Sequence, residues 1–191
     1  MLTATPPLPP VTPGLTLKHV AIGRGTQNYS CDISNSTAVP EARGALATLF
    51  NVSCIAATYP DLAKMLGKVS LNFNLTQSEA SQKLTPSNLA VSGSHYFTNV
   101  TNTLVPFFDL DTTQNLKLGG IPCSKDAGVP APADAPKGQQ GENAVQWLKL
   151  KARPGATGGL QEVYRVETIG GSAPTSCKGM PAHFEVQYAT Q

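Results

Sequence analysis

The chain has 191 residues, a formal net charge of +2, 14% charged residues and 40% hydrophobic ones. That length fits one domain that can bury a core without staples. The thin, balanced charge without a Lys/Arg run argues against nucleic acid and favours neutral or polyhydroxyl partners, and no apolar run approaches the ~18 residues of a membrane span.

Residues 1–14 read as a Pro-rich arm, because Pro6 to Gly14 carries five prolines, which favour extended polyproline geometry and cannot donate to a ladder. A β-rich domain is expected over 15–191. Strand-like runs occur at 17–22, 27–31 and 45–52. Pro60-Asp61 opens a short helical turn through Leu66. Val69, Leu71, Phe73 and Leu75 then alternate with Lys68, Ser70, Asn72 and Asn74, the period of a half-buried strand. Thr76-x-x-Glu79 matches a capping box and predicts a helix to about Leu84, stopped before Pro86. Another β-rich run covers 95–100. Residues 122–143 are rich in Pro, Ala, Gly and Gln without periodicity, so they read as a long loop, a flap or a lid tied at Cys123. After Trp147, Leu148 and Leu150 alternate with Lys149 and Lys151. A run at 160–169 follows, and finally Phe184, Val186 and Tyr188 alternate with His183, Glu185 and Gln187. This pattern predicts an all-β fold, a mainly antiparallel β-sandwich or β-barrel with one or two short helices inserted between Pro60 and Asn88.

Five N-glycosylation triplets crowd the first half, at Asn28, Asn35, Asn51, Asn74 and Asn99, where chance would give roughly two. They point to a secreted glycoprotein of the extracellular space or cell wall. The opening Met1-Leu2-Thr3-Ala4-Thr5 lacks the basic segment and apolar core of a signal peptide, so a leader is expected to have been removed. Cys31, Cys54, Cys123 and Cys177 are too far apart for a Cys-x-x-Cys motif. Two disulfides in one of three pairings are expected.

Few residues carry chemistry. Gly23-Arg24-Gly25-Thr26-Gln27-Asn28 begins like a dinucleotide fingerprint, but Asn28 replaces the third glycine and strand pattern follows where a helix must stand. Neither a Gly-x-Ser-x-Gly elbow nor a phosphate-binding loop is present, and no cofactor is expected. His19, His95 and His183 are dispersed, so no metal site is expected. Asp109-Leu110-Asp111 puts two carboxylates on one side of an extended segment, about 6 to 7 Å apart. With His95, and with Phe107 and Phe108 as apolar walls, they are the catalytic candidates for a carbohydrate-active or other hydrolase. Trp147, Lys149 and Arg165 are the binding candidates. Trp147 would either anchor the core or stack on a sugar ring, and Arg165 is expected to pair with Glu167.

Several blocks together carry a family resemblance: Gly25-Thr26-Gln27-Asn28-Tyr29-Ser30-Cys31, Ser94-His95-Tyr96-Phe97, Ala133-Asp134-Ala135-Pro136-Lys137-Gly138, Trp147-Leu148-Lys149-Leu150, and Val163-Tyr164-Arg165-Val166 leading to Gly170-Gly171 and Cys177. From about Leu15 onward the chain resembles the secreted proteins of the domain of unknown function 3455 family, in its longer fungal form. The resemblance implies a secreted β-rich domain without an established activity. Some members carry the label malate dehydrogenase, which the missing fingerprint contradicts here, so no NAD-dependent dehydrogenase is expected. Shorter members have cysteines matching Cys31 and Cys177 only, which implies the pairs Cys31–Cys177 and Cys54–Cys123. They also carry an apolar residue at the place of Asn28. The combined expectation is a non-catalytic extracellular binding module for cell-wall polysaccharide or a host-surface partner. The alternatives are a hydrolase using Asp109, Asp111 and His95, and a barrel that holds a small apolar ligand.

Overall fold

A computed structural model describes residues 4–72, 83–84, 89–100, 102–111 and 117–191, with the backbone alone at 83–84. In chain order the elements are β1 (Ala21–Ser30), β2 (Glu41–Asn51), α1 (Ser53–Thr58), α2 (Pro60–Ser70), β3 (Lys83–Leu84), β4 (Leu89–Val100), β5 (Thr103–Asp109), β6 (Gly120–Val129), β7 (Trp147–Ala152), β8 (Glu162–Arg165), β9 (Ile169–Gly170) and β10 (His183–Thr190). One antiparallel sheet runs in the order β8-β7-β6-β5-β4-β2-β1-β10-β9 and curls into a half-barrel, with β3 paired to β4 beside it. The curl brings the two ends of the sheet together. Val166, just past β8, exchanges both backbone hydrogen bonds with Gln191, just past β10, at 2.8 and 2.9 Å.

Three register shifts bend the ladders, at Asn28/Tyr29 between β1 and β2, at Leu49/Phe50 between β2 and β4, and at Lys125/Ala127 between β6 and β7. Each leaves one unpaired residue and raises the local twist that a curling sheet needs. Gly25 and Gly93 mark close approaches within the sheet. A Cβ at Gly25 would lie 1.8 Å from the Leu46 carbonyl oxygen, and one at Gly93 would lie 2.2 Å from that of Asp109. Only glycine fits where neighbouring backbones come so close. The β5–β6 ladder has three residue pairs and ends at Phe107 opposite Pro122. Pro106 and Pro122 have no N–H to extend it.

Alternation along the strands splits the sheet into two faces. The concave face carries Leu49, His95, Phe108, Ile121, Cys123, Leu150, Val163, Arg165 and Tyr188. Part of the convex face is covered by α1 and α2, where Ile22, Phe50, Val52 and Leu89 pack with Ile55 and Leu66. Arg24 is buried there, its Nε donating to the Ser70 carbonyl at 3.1 Å, and burial pushes its pKa down to about 10. Another part is covered by the N-terminal arm, where Ala4 and Leu8 pack on Val129, Trp147 and Val166.

Two sequence expectations fail here for identifiable reasons. The strand expected from Lys68 is instead the end of α2, whose buried Ala63, Gly67 and Ser70 recur at helical spacing. Pro60 suits the first turn, where no N–H is needed, and Asp61 at the start and Lys68 in the last turn suit the helix dipole. The apolar Val69 and polar Lys68 and Ser70 fit either period on their own, and positions 73–75 lie outside the described residues. The loop expected over 122–143 is β6 up to Val129, with the irregular segment beginning only at 130. Its Pro and Gly content hid a strand that bulges. The expected capping-box helix falls mostly outside the described residues, and its end, 83–84, is β3. Helix α1 was not foreseen. Residues 17–20 lie outside the strands, and β1 starts at Ala21.

Candidate functional site: the interior of the half-barrel

The concave face encloses a cavity of about 810 Å³. Its walls are mostly apolar, including Leu49, Phe108, Leu110, Ile121 and Val163, and the polar side chains that reach it include His95 from β4, Arg165 from β8 and Tyr188 and Thr190 from β10. The exposed residues of the lining, among them Gly14, Leu17, Gly158 and Gly159, belong to the arm and to the turn before β8. Lys18 Nζ donates to the Gly158 carbonyl and ties these two rims together.

His95 is 5% exposed, stacks on Phe108 with ring centroids 4.2 Å apart, and donates from Nδ1 to the Phe107 carbonyl at 3.0 Å. Burial drives its pKa down to about 4 against the favourable carbonyl bond, with nearby Arg165 adding to the fall. The imidazole is therefore neutral at ordinary pH. Tyr29 and Tyr188 are both raised by burial and stay neutral too, Tyr29 donating its hydroxyl to the Gly171 carbonyl at 2.8 Å. Arg165 donates from Nη2 to the Gln146 carbonyl at 2.9 Å, while its Nε is shut off from solvent without a hydrogen-bond partner. Burial lowers its pKa, yet it stays a cation.

The other candidates are not gathered at this site. Asp109 pairs with Ser94 and Gly120 in the ladders, one position off the His95–Phe108 pair, so alternation sends its side chain to the face opposite His95. Asp109 Oδ1 accepts the Asp111 N–H at 3.0 Å, and Asp111 Oδ1 accepts the Gly119 N–H at 2.7 Å. Both carboxylates thus brace the turn after β5, and they do not converge with His95. Trp147 is 7% exposed, buried by the arm, and Lys149 is 3% exposed. Lys149 Nζ donates to the Pro10 carbonyl at 2.7 Å and pairs with Glu162 at 3.1 Å. Of the three binding candidates only Arg165 faces the cavity. Its expected partner Glu167 pairs instead with Lys64 at 3.1 Å.

Of the other histidines, His19 also lines the cavity and His183 does not. His19 lies between Ser92 and Ser53, 2.9 and 3.2 Å from their hydroxyls, and His183 is exposed on β10. The cysteines divide into one disulfide, Cys31–Cys177, and two thiols. The expected Cys54–Cys123 bond is not formed, because Cys54 is exposed on α1 while Cys123 is buried in the barrel with Ile121 and Leu150. Burial lifts the Cys123 thiol to about 12. Among the sequons, Asn35 and Asn99 are exposed and Asn28 is half-buried in β1. At Asn51 the sequon hydroxyl, Ser53 Oγ, accepts the Val20 N–H at 3.0 Å. Asn74 lies outside the described residues.

Sequence reasoning missed Tyr188 and Leu49 as site residues and found Phe108 only as a wall for the aspartates. Their alternation placed them on an apolar face, and nothing local says that this face surrounds a void. Fold and cavity together define a curled antiparallel half-barrel with a mostly apolar interior and one disulfide, a bond compatible with an extracellular protein. The chain belongs to the family described as protein of unknown function, DUF3455, whose model matches residues 12–191. No curated protein and no solved structure matches it.

Proposed function

We propose that the protein is a secreted, non-catalytic binding module that holds a small, largely apolar ligand inside the half-barrel. The observation that carries this reading is the cavity itself. Its volume of about 810 Å³ falls within the usual span of ligand sites, and its apolar walls with a few convergent polar groups match their usual make-up. Secretion is supported by the disulfide and by the excess of sequons. A hydrolytic role has less support, because His95 is neutral and stacked while Asp109 and Asp111 serve a turn. A cell-wall polysaccharide or host-surface partner would have to meet other parts of the outer surface, since Trp147 and Lys149 lie under the arm.

Titration with N-phenyl-1-naphthylamine, a neutral probe that brightens in apolar surroundings, tests the proposal. One probe is expected to bind per chain, and Leu49→Trp, which fills the cavity from β2, is expected to abolish binding while the protein stays folded. Absence of saturable binding by the native protein overturns the reading, as does binding that survives Leu49→Trp.

A further inference from the structure

Arg165 is the odd member of the cavity lining. A guanidinium loses much hydration when buried, and proteins usually offset this with a carboxylate or a full set of acceptors. Here one nitrogen has a carbonyl, Nε has nothing, and no carboxylate meets Arg165 among the described residues. The titratable side chains around it do not supply a negative charge either. His95, Tyr29 and Tyr188 are held neutral, and Glu167, two residues away, is taken by Lys64. Arg165 is therefore a cation of the mostly apolar lining that has no carboxylate partner among the described residues.

We propose that the ligand of this cavity is a monoanionic amphiphile, an apolar body carrying one carboxylate or similar oxyanion that pairs with Arg165. A guanidinium suits such a group, since it is a permanent planar cation that donates charge-assisted hydrogen bonds to oxyanions. A single charge is the better match than a dianionic phosphate ester, because among the described residues the other lysine or arginine lining the cavity is Lys18, at its rim. Lys18 is engaged at the rim by Gly158, and Lys149 sits on the opposite face of the sheet with Glu162. The apolar body would lie along Leu49, Phe108, Ile121 and Val163.

This inference rests on the cavity being a binding site, and the test separates the two ideas. 8-Anilinonaphthalene-1-sulfonate and N-phenyl-1-naphthylamine share one body and differ by a single sulfonate. The native protein is expected to bind the sulfonate about 10- to 100-fold more tightly, the usual worth of a charged hydrogen-bonded pair. Arg165→Met is expected to erase that preference while leaving affinity for the neutral probe unchanged, and Arg165→Lys to keep part of it. Equal binding of both probes by the native protein overturns the anion assignment and leaves the cavity reading intact. A preference that persists in Arg165→Met also overturns it, and binding of neither probe sinks both ideas. A second readout needs no ligand. Removing a buried charge that lacks a carboxylate partner is expected to raise the melting temperature of the empty protein in Arg165→Met, and a marked fall would mean that Arg165 is structural.

Discussion

At His95, burial and chemistry conflict in a way that pH can expose. Its pKa falls from the ordinary 6.5 to about 4, so below pH 6.5 the unfolded chain takes up a proton that the folded one refuses until about pH 4. The unfolded state then binds more protons, and stability falls as pH drops through that window. The full effect is on the order of 3 kcal/mol. Thermal melts between pH 7 and pH 4 are expected to show this loss, and His95→Gln is expected to flatten the profile. An unchanged slope in the variant would move the titration elsewhere, His19 being the next candidate since burial lowers it as well. His95 was legible in the sequence as a residue worth naming, but its role was not. A histidine on a strand reads the same whether its ring meets water, a carboxylate or Phe108.

The N-terminal arm is the element whose meaning changes most between sequence and structure. Its prolines predict an extended segment, and a segment without its own ladder still offers free carbonyls. Those of Pro9 and Pro10 accept from the Tyr164 hydroxyl at 2.9 Å and from Lys149 Nζ at 2.7 Å. Thr12 adds a hydroxyl donated to Glu162 at 2.6 Å, and this bond, followed by the one from Lys149, holds the Glu162 carboxyl below its usual range. Proline thus suits an arm that accepts hydrogen bonds. Trp147, the sole tryptophan, lies beneath it and reports on its docking. Deleting residues 1–10 is expected to red-shift tryptophan emission and open Trp147 to acrylamide quenching, with far-UV circular dichroism retained. Emission that stays blue would show that Trp147 is buried independently of the arm. The alternation of Trp147, Lys149 and Lys151 correctly marks one face of β7 in the sequence. That the face is roofed could not be read locally, because the roof lies more than a hundred residues away.

Over the whole molecule, the Cys31–Cys177 bond joins positions separated by 146 residues. It ties the end of β1 to the segment leading into β10, strands that already pair along eight residues. Opening so long a loop is expected to cost about 5 kcal/mol in the chain-entropy model. Cys31→Ser together with Cys177→Ser should therefore lower the denaturation midpoint in urea well beyond what Cys54→Ser does, Cys54 being exposed and unpaired. Equal effects would contradict the assignment of a single structural bond.

The antiparallel all-β class, the presence of one or two short helices and the apolar faces of β7 and β10 follow from the sequence, because period, proline and glycine act within a few residues. The curl of the sheet, the void it leaves, the roof over Trp147 and the pairing of the cysteines do not. They depend on bulges, on glycines at points of close backbone approach, and on contacts between distant segments, and only the folded chain sets these. Arg165 shows the difference most plainly. As a charge on a strand beside Glu167 it reads as half of a surface ion pair, and only the closing of β8 toward β10 turns it inward, without a carboxylate, into the apolar cavity.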